Sequence, residues 1–256
     1  MPILTLTTDF GTRDWFVGTM KGVILRLNPR AVLVDLTHEI PPGDIRSGAF
    51  ALAASYKFFP RGTIHIIVVD PGVGSTRRAV AVRTSNYFFV GPDNGVLSLA
   101  LRGQRIIAAH CLNNERYFLK PVSHTFHGRD VFAPVAAHLS QRGLIEHLGP
   151  SVKSLVQLDW PKARKRNGRI EGEIVHFDHF GNATTNIQSS EAGKSQVFLV
   201  FGRRRTLCPL KSFYQASSAG KPIAVPGSSG WIEIAVNGGS AEKRLGLRIG
   251  ARVVGR

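Results

Sequence analysis

The side chains best suited to chemistry in this 256-residue sequence lie in short polar runs that follow apolar stretches. The most informative run is Asp70-Pro71-Gly72-Val73-Gly74-Ser75-Thr76-Arg77. A carboxylate leaves the apolar stretch 64–69 and enters a glycine-rich loop that ends on a guanidinium, so Arg77 is placed to hold Asp70 ionised and fixed. The same residues also suit a turn closed by a surface ion pair, and the loop has neither the Walker Lys-Ser/Thr ending nor a G-x-G-x-x-G pattern. A second run, Thr125-Phe126-His127-Gly128-Arg129-Asp130, sets an aromatic ring, an imidazole and charged groups just ahead of a helical pattern. His127 can accept or relay a proton near neutral pH. As a lone histidine it equally suits a structural role, and Asp130 suits the positive end of a helix.

Two further runs could bind rather than react. In Thr7-Thr8-Asp9-Phe10-Gly11 a short carboxylate beside a glycine could accept hydrogen bonds from a ribose diol or hold a metal, or could cap a helix. Phe177-Asp178-His179-Phe180-Gly181-Asn182 offers an acid, an aromatic face and an amide in one tight loop, a set that suits a nucleoside with a polar tail. His176 and His179 together with Asp9, Asp70 and Asp178 have no H-x-H, H-E-x-x-H or clustered-carboxylate spacing, so no metal site is expected.

In open parallel sheets ligands gather at the carboxyl ends of strands, which is where these runs should sit. The first half alternates strand and helix patterns: a strand at 3–8, a helix over 14–27 closed by Asn28-Pro29, a strand at 31–36. Asp44 then caps a helix with apolar positions Ile45, Ala49, Leu52, Ala53 and Tyr56, ended by Pro60. The apolar run 64–69 suits a central strand covered on both faces. A hairpin over 79–84 and 87–90, a turn at Asp93-Asn94-Gly95 opening a short helix, a strand at 106–110 and a helix over 129–141 follow, the last with Pro134 near its first turn. The expected architecture for 1–164 is α/β with a mainly parallel central sheet. After Pro150 comes a linker with Pro161 and a basic cluster, and the boundary is placed near residue 165. Over 165–256 the pattern is short β-like runs at 169–177, 196–201, 206–210, 223–225, 231–236 and 251–254, without a convincing helix, as in a smaller all-β barrel or sandwich.

Composition narrows the classes. The 43% apolar fraction suits a proper core. Cys111 and Cys208 lie far apart without metal-ligand spacing, which argues against a disulfide framework and for a reducing cytoplasm. No basic leader opens the sequence and no stretch approaches the ~20 apolar residues of a membrane span, so neither export nor membrane insertion is expected. The net charge of +16 attracts anions in general. Its two basic clusters, 162–169 and Arg203-Arg204-Arg205, fall where hairpins or linkers are expected and lack interleaved aromatics, so a solvated surface is preferred to a nucleic-acid site.

Taken in order, TTDFGT (7–12), DPGVGSTRR (70–78), GPDNG (91–95), TFHGRD (125–130) and FGNATTN (180–186) resemble the S-adenosylmethionine hydroxide adenosyltransferases, relatives of the bacterial fluorinase and chlorinase. The resemblance runs from the first strand through WIEIAVN at 231–237. It implies cleavage of S-adenosylmethionine to adenosine and methionine by hydroxide derived from water, with no cofactor or metal, in a homotrimer whose subunits enclose the substrate jointly. The family triad falls on Asp70, Arg77 and His127. By the same resemblance Asp9 binds the ribose hydroxyls, Phe126 flanks the nucleoside, Asp178, Phe180 and Asn182 receive the methionine part, and Ser228, Asn237 and Gly238 complete the pocket. The halogenating relatives carry tyrosines where this chain has Asp70 and His127, so hydrolysis is expected over halogenation. A non-catalytic nucleotide or nucleic-acid binder is the alternative of a different class.

Overall fold

The computed structural model describes residues 1–193 and 197–256. The chain divides into two compact units, Met1–Leu158 and Asp159–Arg256.

The first unit is built on a six-stranded sheet of order β2-β1-β3-β5-β4-β6, formed by β1 (Ile3–Thr8), β2 (Val32–Thr37), β3 (Ile64–Val68), β4 (Ala79–Thr84), β5 (Phe88–Pro92) and β6 (Ile106–Cys111). The pairs β1–β2, β1–β3 and β3–β5 are parallel, and β4 alone runs against its neighbours β5 and β6. β3 is buried along its whole length, in keeping with a sequence that is apolar except for His65. Its even residues Ile64, Ile66 and Val68 join Leu4 and Leu6 in one core, with α1 (Phe16–Leu27) and α4 (Ala133–Ser140). On the other face Ile67, with Val69 just past the strand's end, joins Leu52, Phe89 and Val96 in a second core, beneath α2 (Ile45–Ser55) and α3 (Ser98–Leu101). The sheet is therefore covered on both faces.

Local signals place these elements. The carboxylate of Asp44 accepts from Ser47 N at 3.0 Å and caps α2, worth about 1 kcal/mol. Ahead of α4 the backbone widens into a π-turn over Gly128–Phe132. Pro134 cannot donate to the Asp130 carbonyl, and that carbonyl accepts instead from Leu119 N at 2.9 Å. Asn94 donates Nδ2 to the Val69 carbonyl at 2.9 Å, tying the GPDNG turn to the end of β3.

Antiparallel pairs in the order β11-β10-β14-β8-β9-β13-β12 make up the second unit, with β7 paired to β8. Its strands are β7 (Arg164–Arg166), β8 (Arg169–Phe177), β9 (Ala183–Gln188), β10 (Val197–Phe201), β11 (Arg205–Pro209), β12 (Pro222–Pro226), β13 (Trp231–Val236) and β14 (Arg252–Gly255). A parallel bridge between Leu210 and Ala224 joins the two ends of the sheet, giving a nearly closed barrel around Ile174, Phe198, Val200, Ile234 and Val253.

The basic cluster at 162–169 falls largely on a hairpin, one of the two settings expected for it: β7 and β8 turn across Asn167 and Gly168, both at positive φ as the tight turn requires. The barrel departs from expectation in two places. β9 reads as polar in sequence yet is buried over 183–187, because its polar groups are paired: Thr185 Oγ1 donates to the Ile232 carbonyl at 2.9 Å and Asn186 Oδ1 accepts from Glu173 N at 2.8 Å. A short helix, α5 (Ala241–Leu245), stands where none was expected, capped by Ser240. Gln196, the expected start of β10, lies outside the described residues.

Candidate functional site

The chain leaves β1 for β2 on one side and returns to β3 on the other, so β1 and β3 are parallel neighbours at a topological switch point. Asp9 follows β1 and Asp70 lies just beyond β3, which puts two carboxylates at one crevice. A cavity of about 510 Å³ opens there, lined by Asp9, Phe10, Gly43, Asp70, Phe126 and His127 among others. Its size suits a small organic ligand.

Asp70 and Arg77 form a fork. Arg77 Nε lies 2.9 Å from both Asp70 carboxylate oxygens, and its Nη2 also donates to Asp70 Oδ2. Only 4% of the Asp70 side chain and 11% of the Arg77 side chain remain exposed, so this is no surface ion pair. The same Nη2 lies 2.7 Å from His127 Nδ1. An arginine can only donate, so Nδ1 accepts and the imidazole carries its hydrogen on Nε2. Burial first, and then the neighbouring Arg77 charge, depress the His127 pKa below its ordinary 6.5 and keep the ring neutral. Asp70 and His127 line the cavity, whereas Arg77 is not among its lining residues.

The glycine-rich loop makes this long-range meeting possible. Gly74 has φ +77°, and a Cβ there would stand 2.3 Å from the His124 carbonyl oxygen. Only glycine lets the Arg77 loop press against the segment that carries His127. Ser75 fixes the loop's exit by donating Oγ to the Gly72 carbonyl at 2.7 Å and accepting from Arg77 N at 3.2 Å.

Asp9 is held differently. Its Oδ2 accepts from Gly43 N at 2.8 Å. Burial raises its pKa from the ordinary 3.8 and the nearby Asp70 charge adds to that, while the Gly43 N–H opposes both. Phe126, 8% exposed, meets Phe10 and Phe16 edge-on with ring centroids 5.9 and 5.1 Å away, and Arg129 lies over its ring at 5.2 Å. Asp130 is fully buried and accepts from Arg129 and from Ser123 N, so it organises the loop and is not a free acid.

Within the second unit Asp178 and Asn182 close the loop between β8 and β9. Asp178 Oδ1 accepts from Asn182 N at 2.8 Å and Oδ2 from Asn182 Nδ2 at 2.9 Å. Gly181 at φ +79° turns the chain, and Phe180 stands 74% exposed at the tip. Asn237 and Gly238 leave β13 at this same end, since Ile234 pairs with Ala183. Asn237 is engaged with the Ser217 carbonyl at 2.6 Å. Ser228, exposed in the turn before β13, lies toward that strand's other end, a strand length of about 20 Å away at ~3.3 Å per residue. Sequence reading missed Glu233, which sits between them. Its Oε2 accepts from the Tyr214 hydroxyl at 2.8 Å, and Gly227 packs so closely that a Cβ there would lie 2.1 Å from Oε1. Burial, with Asp178's charge adding to it, raises the Glu233 pKa, and burial with the Glu233 bond pushes Tyr214 up to about 12. The signal was a lone acid inside the apolar run WIEIAV. Among the described residues no group of histidine, cysteine, aspartate or glutamate is arranged to hold a metal, and no helix is long and apolar enough to cross a membrane.

The SAM hydroxide adenosyltransferase N-terminal domain model matches residues 4–149 and the C-terminal domain model residues 172–254. The chain belongs to the SAM hydroxide adenosyltransferase family. Among its relatives in that family is a protein of Thermus thermophilus named (R)-S-adenosyl-L-methionine hydrolase, 40% identical over 96% of each chain. A Salinispora tropica protein of the same name is 39% identical over 98% of this chain and 97% of its own. A fluorinase of Actinoplanes is more distant, 26% identical over 98% of this chain and 96% of its own. A crystal structure from Thermotoga maritima superposes with a TM-score of 0.93 at 35% identity, covering 98% of both chains. The α/β first unit and antiparallel barrel are thus the fold expected for the family.

Proposed function

We propose that this protein hydrolyses S-adenosyl-L-methionine to adenosine and L-methionine, with a water oxygen attacking ribose C5′ in line with the departing sulfur. The observation that carries this is the Asp70–Arg77–His127 network at the switch-point cavity, a fixed polar wall of the kind that orients one water. The C5′–O bond forms as the C5′–S bond breaks, and the bonding pair returns to sulfur as the neutral thioether of methionine. The leaving group needs no proton, so no general acid is required. His127 offers Nε2–H to the water oxygen, while Asp70 keeps lone pairs beyond those taken by Arg77 to accept a water hydrogen. The proton of the attacking water leaves to solvent after C–O bond formation, because a 5′-oxonium is strongly acidic. The Asp70 carboxylate also faces the substrate's sulfonium charge. None of these steps calls on a metal or cofactor.

Asp9, with one oxygen anchored on Gly43 N, binds the ribose hydroxyls, and Phe126 flanks the nucleoside. Asp178, Phe180, Asn182, Ser228, Asn237 and Gly238 receive the rest of the substrate from a neighbouring copy in a homotrimer. Light scattering on the eluting protein at three times the 27.9 kDa chain mass would be the expected result. Two free thiols, Cys111 and Cys208, accord with a cytoplasmic setting. The test of the reaction is incubation with S-adenosylmethionine in halide-free buffer. Adenosine and methionine in equal amounts are expected, and added chloride or fluoride should yield no 5′-halo-5′-deoxyadenosine. No adenosine over the buffer control would overturn the reading.

A further inference from the structure

Beyond Gly43, the turn that carries Asp9 is held by residues that do not themselves line the cavity. Thr8, the last residue of β1, is fully buried, and its Oγ1 lies 2.8 Å from His38 Nδ1. The same hydroxyl accepts from Phe10 N at 3.3 Å, which leaves its own hydrogen free to be donated to Nδ1. His38 Nε2 lies 3.0 Å from Asp35 Oδ1, close enough for the carboxylate to favour the ring hydrogen on Nε2 although the contact is not an aligned hydrogen bond. Asp35 Oδ2 in turn accepts from Lys21 Nζ at 2.6 Å. His38 follows β2, the strand beside β1 on the side away from β3. Its ring is buried, with only 3% of the side chain exposed. Its main chain grips the same turn from the other end: the His38 carbonyl accepts from Gly11 N at 2.8 Å. Gly11 itself sits at φ +66°, a turn conformation that this bond helps to hold.

We propose that His38 is a positioning residue for substrate binding: it clamps the Thr8–Gly11 turn at both ends and so sets where the Asp9 carboxylate meets the ribose, with Asp35 and Lys21 fixing its tautomer. This resembles a hydroxyl–imidazole–carboxylate relay in connectivity, but Thr8 is sealed from solvent and cannot serve as a nucleophile. The chain Thr8–His38–Asp35–Lys21 holds a backbone turn. Burial works against the charge on Asp35, yet the Lys21 hydrogen bond and the adjacent His38 ring bring its carboxyl below the ordinary 3.8, so the anchor of the ring stays ionised. The proposal rests on the assignment of Asp9 to the ribose.

Calorimetric titration with adenosine and, separately, methionine tests it. Thr8→Val keeps the shape of the side chain and removes the hydroxyl; it and His38→Ala should each weaken adenosine binding about tenfold, the loss expected for a misplaced charge-assisted hydrogen bond. Methionine binding should be unchanged, Thr8→Ser should restore adenosine binding to within about twofold, and the double variant should be no weaker than His38→Ala alone. In turnover the same variants should raise KM more than they lower kcat. Folded variants that bind adenosine like the wild type, or a Thr8→Ser variant as weak as Thr8→Val, would remove His38 from this role while leaving the reaction untouched. Wild-type protein that binds no adenosine would overturn the substrate reading and this role together. Nitrogen-15 NMR of the wild-type imidazole gives a check that needs no variant: His38 protonated on Nε2 is expected, and protonation on Nδ1 would refute the clamp.

Discussion

The crevice of the first unit and the β8–β9 loop of the second hold their polar side chains in opposite ways. In the crevice the groups hold one another: Arg77 joins Asp70, seven positions away, to His127, fifty positions away, and all three depend on the sheet for their meeting. In the loop Asp178 spends both carboxylate oxygens on Asn182, four positions on, and the tip ring Phe180 is left in solvent. The first arrangement is fixed by tertiary structure, the second by a short stretch of its own backbone. In the proposed reaction a water that must stand about 3 Å from C5′ and opposite sulfur would need the first kind of support, and a flexible amino-acid tail would tolerate the second.

Breaking the crevice should therefore damage the chemical step, and breaking the loop should damage binding. The largest effect is expected for Asp70→Ala, a fall in kcat of ~10²–10⁴-fold with an unchanged circular dichroism spectrum. Arg77→Lys should follow at roughly 10²-fold, because an ammonium cannot fork onto Asp70 and also reach His127 Nδ1. The Asp178→Asn change should instead raise KM about tenfold with kcat nearly intact, measured by initial rates of adenosine release. Phe180→Ala should be the mildest, a rise in KM of about two- to fivefold with the melting temperature unmoved, since its ring is already exposed.

Acid sharpens the same contrast. His127 must be neutral to accept the Arg77 hydrogen bond, and its pKa lies below 6.5, so activity should persist at and above that pH and fall only as pH drops through the depressed value. His65 bears on stability in the same direction. It is fully buried with its pKa lowered to about 3 by burial, so the unfolded chain takes up its proton first. Stability from this group is complete above pH 6.5 and declines toward pH 3 by up to ~1.4 kcal/mol per pH unit. Replacing His65 with Phe should flatten the acid slope of the melting temperature.

Much of this was legible in the sequence because apolar runs and turn residues report local structure directly. β1, β4, β8 and β13 lie where their patterns place them, and Asp44 caps α2 as its type suggests. β9 was hidden because its threonines and asparagine are buried by pairing with neighbouring strands, which no local pattern records. Asp9 and Asp70 could be picked out by type and position after strands, and His127 by its place just ahead of a helix. Their connection through one Arg77 nitrogen could not, since it depends on Gly74 letting two loops touch. His38 and Glu233 escaped notice for the same reason: each gains its meaning from partners brought close only by the sheet.

Among the described residues one bridge fastens the second unit's ring of strands. Leu210 and Ala224 form the bridge between the two ends of the sheet, with Lys211 N donating to the Ala224 carbonyl at 2.9 Å. A cylinder joined by one stitch can part along that seam while its remaining ladders stay intact. In native-state hydrogen exchange the Lys211 amide should therefore be released by a small local opening, well before the amides that join β8 to β9 and β14 in the middle of the sheet.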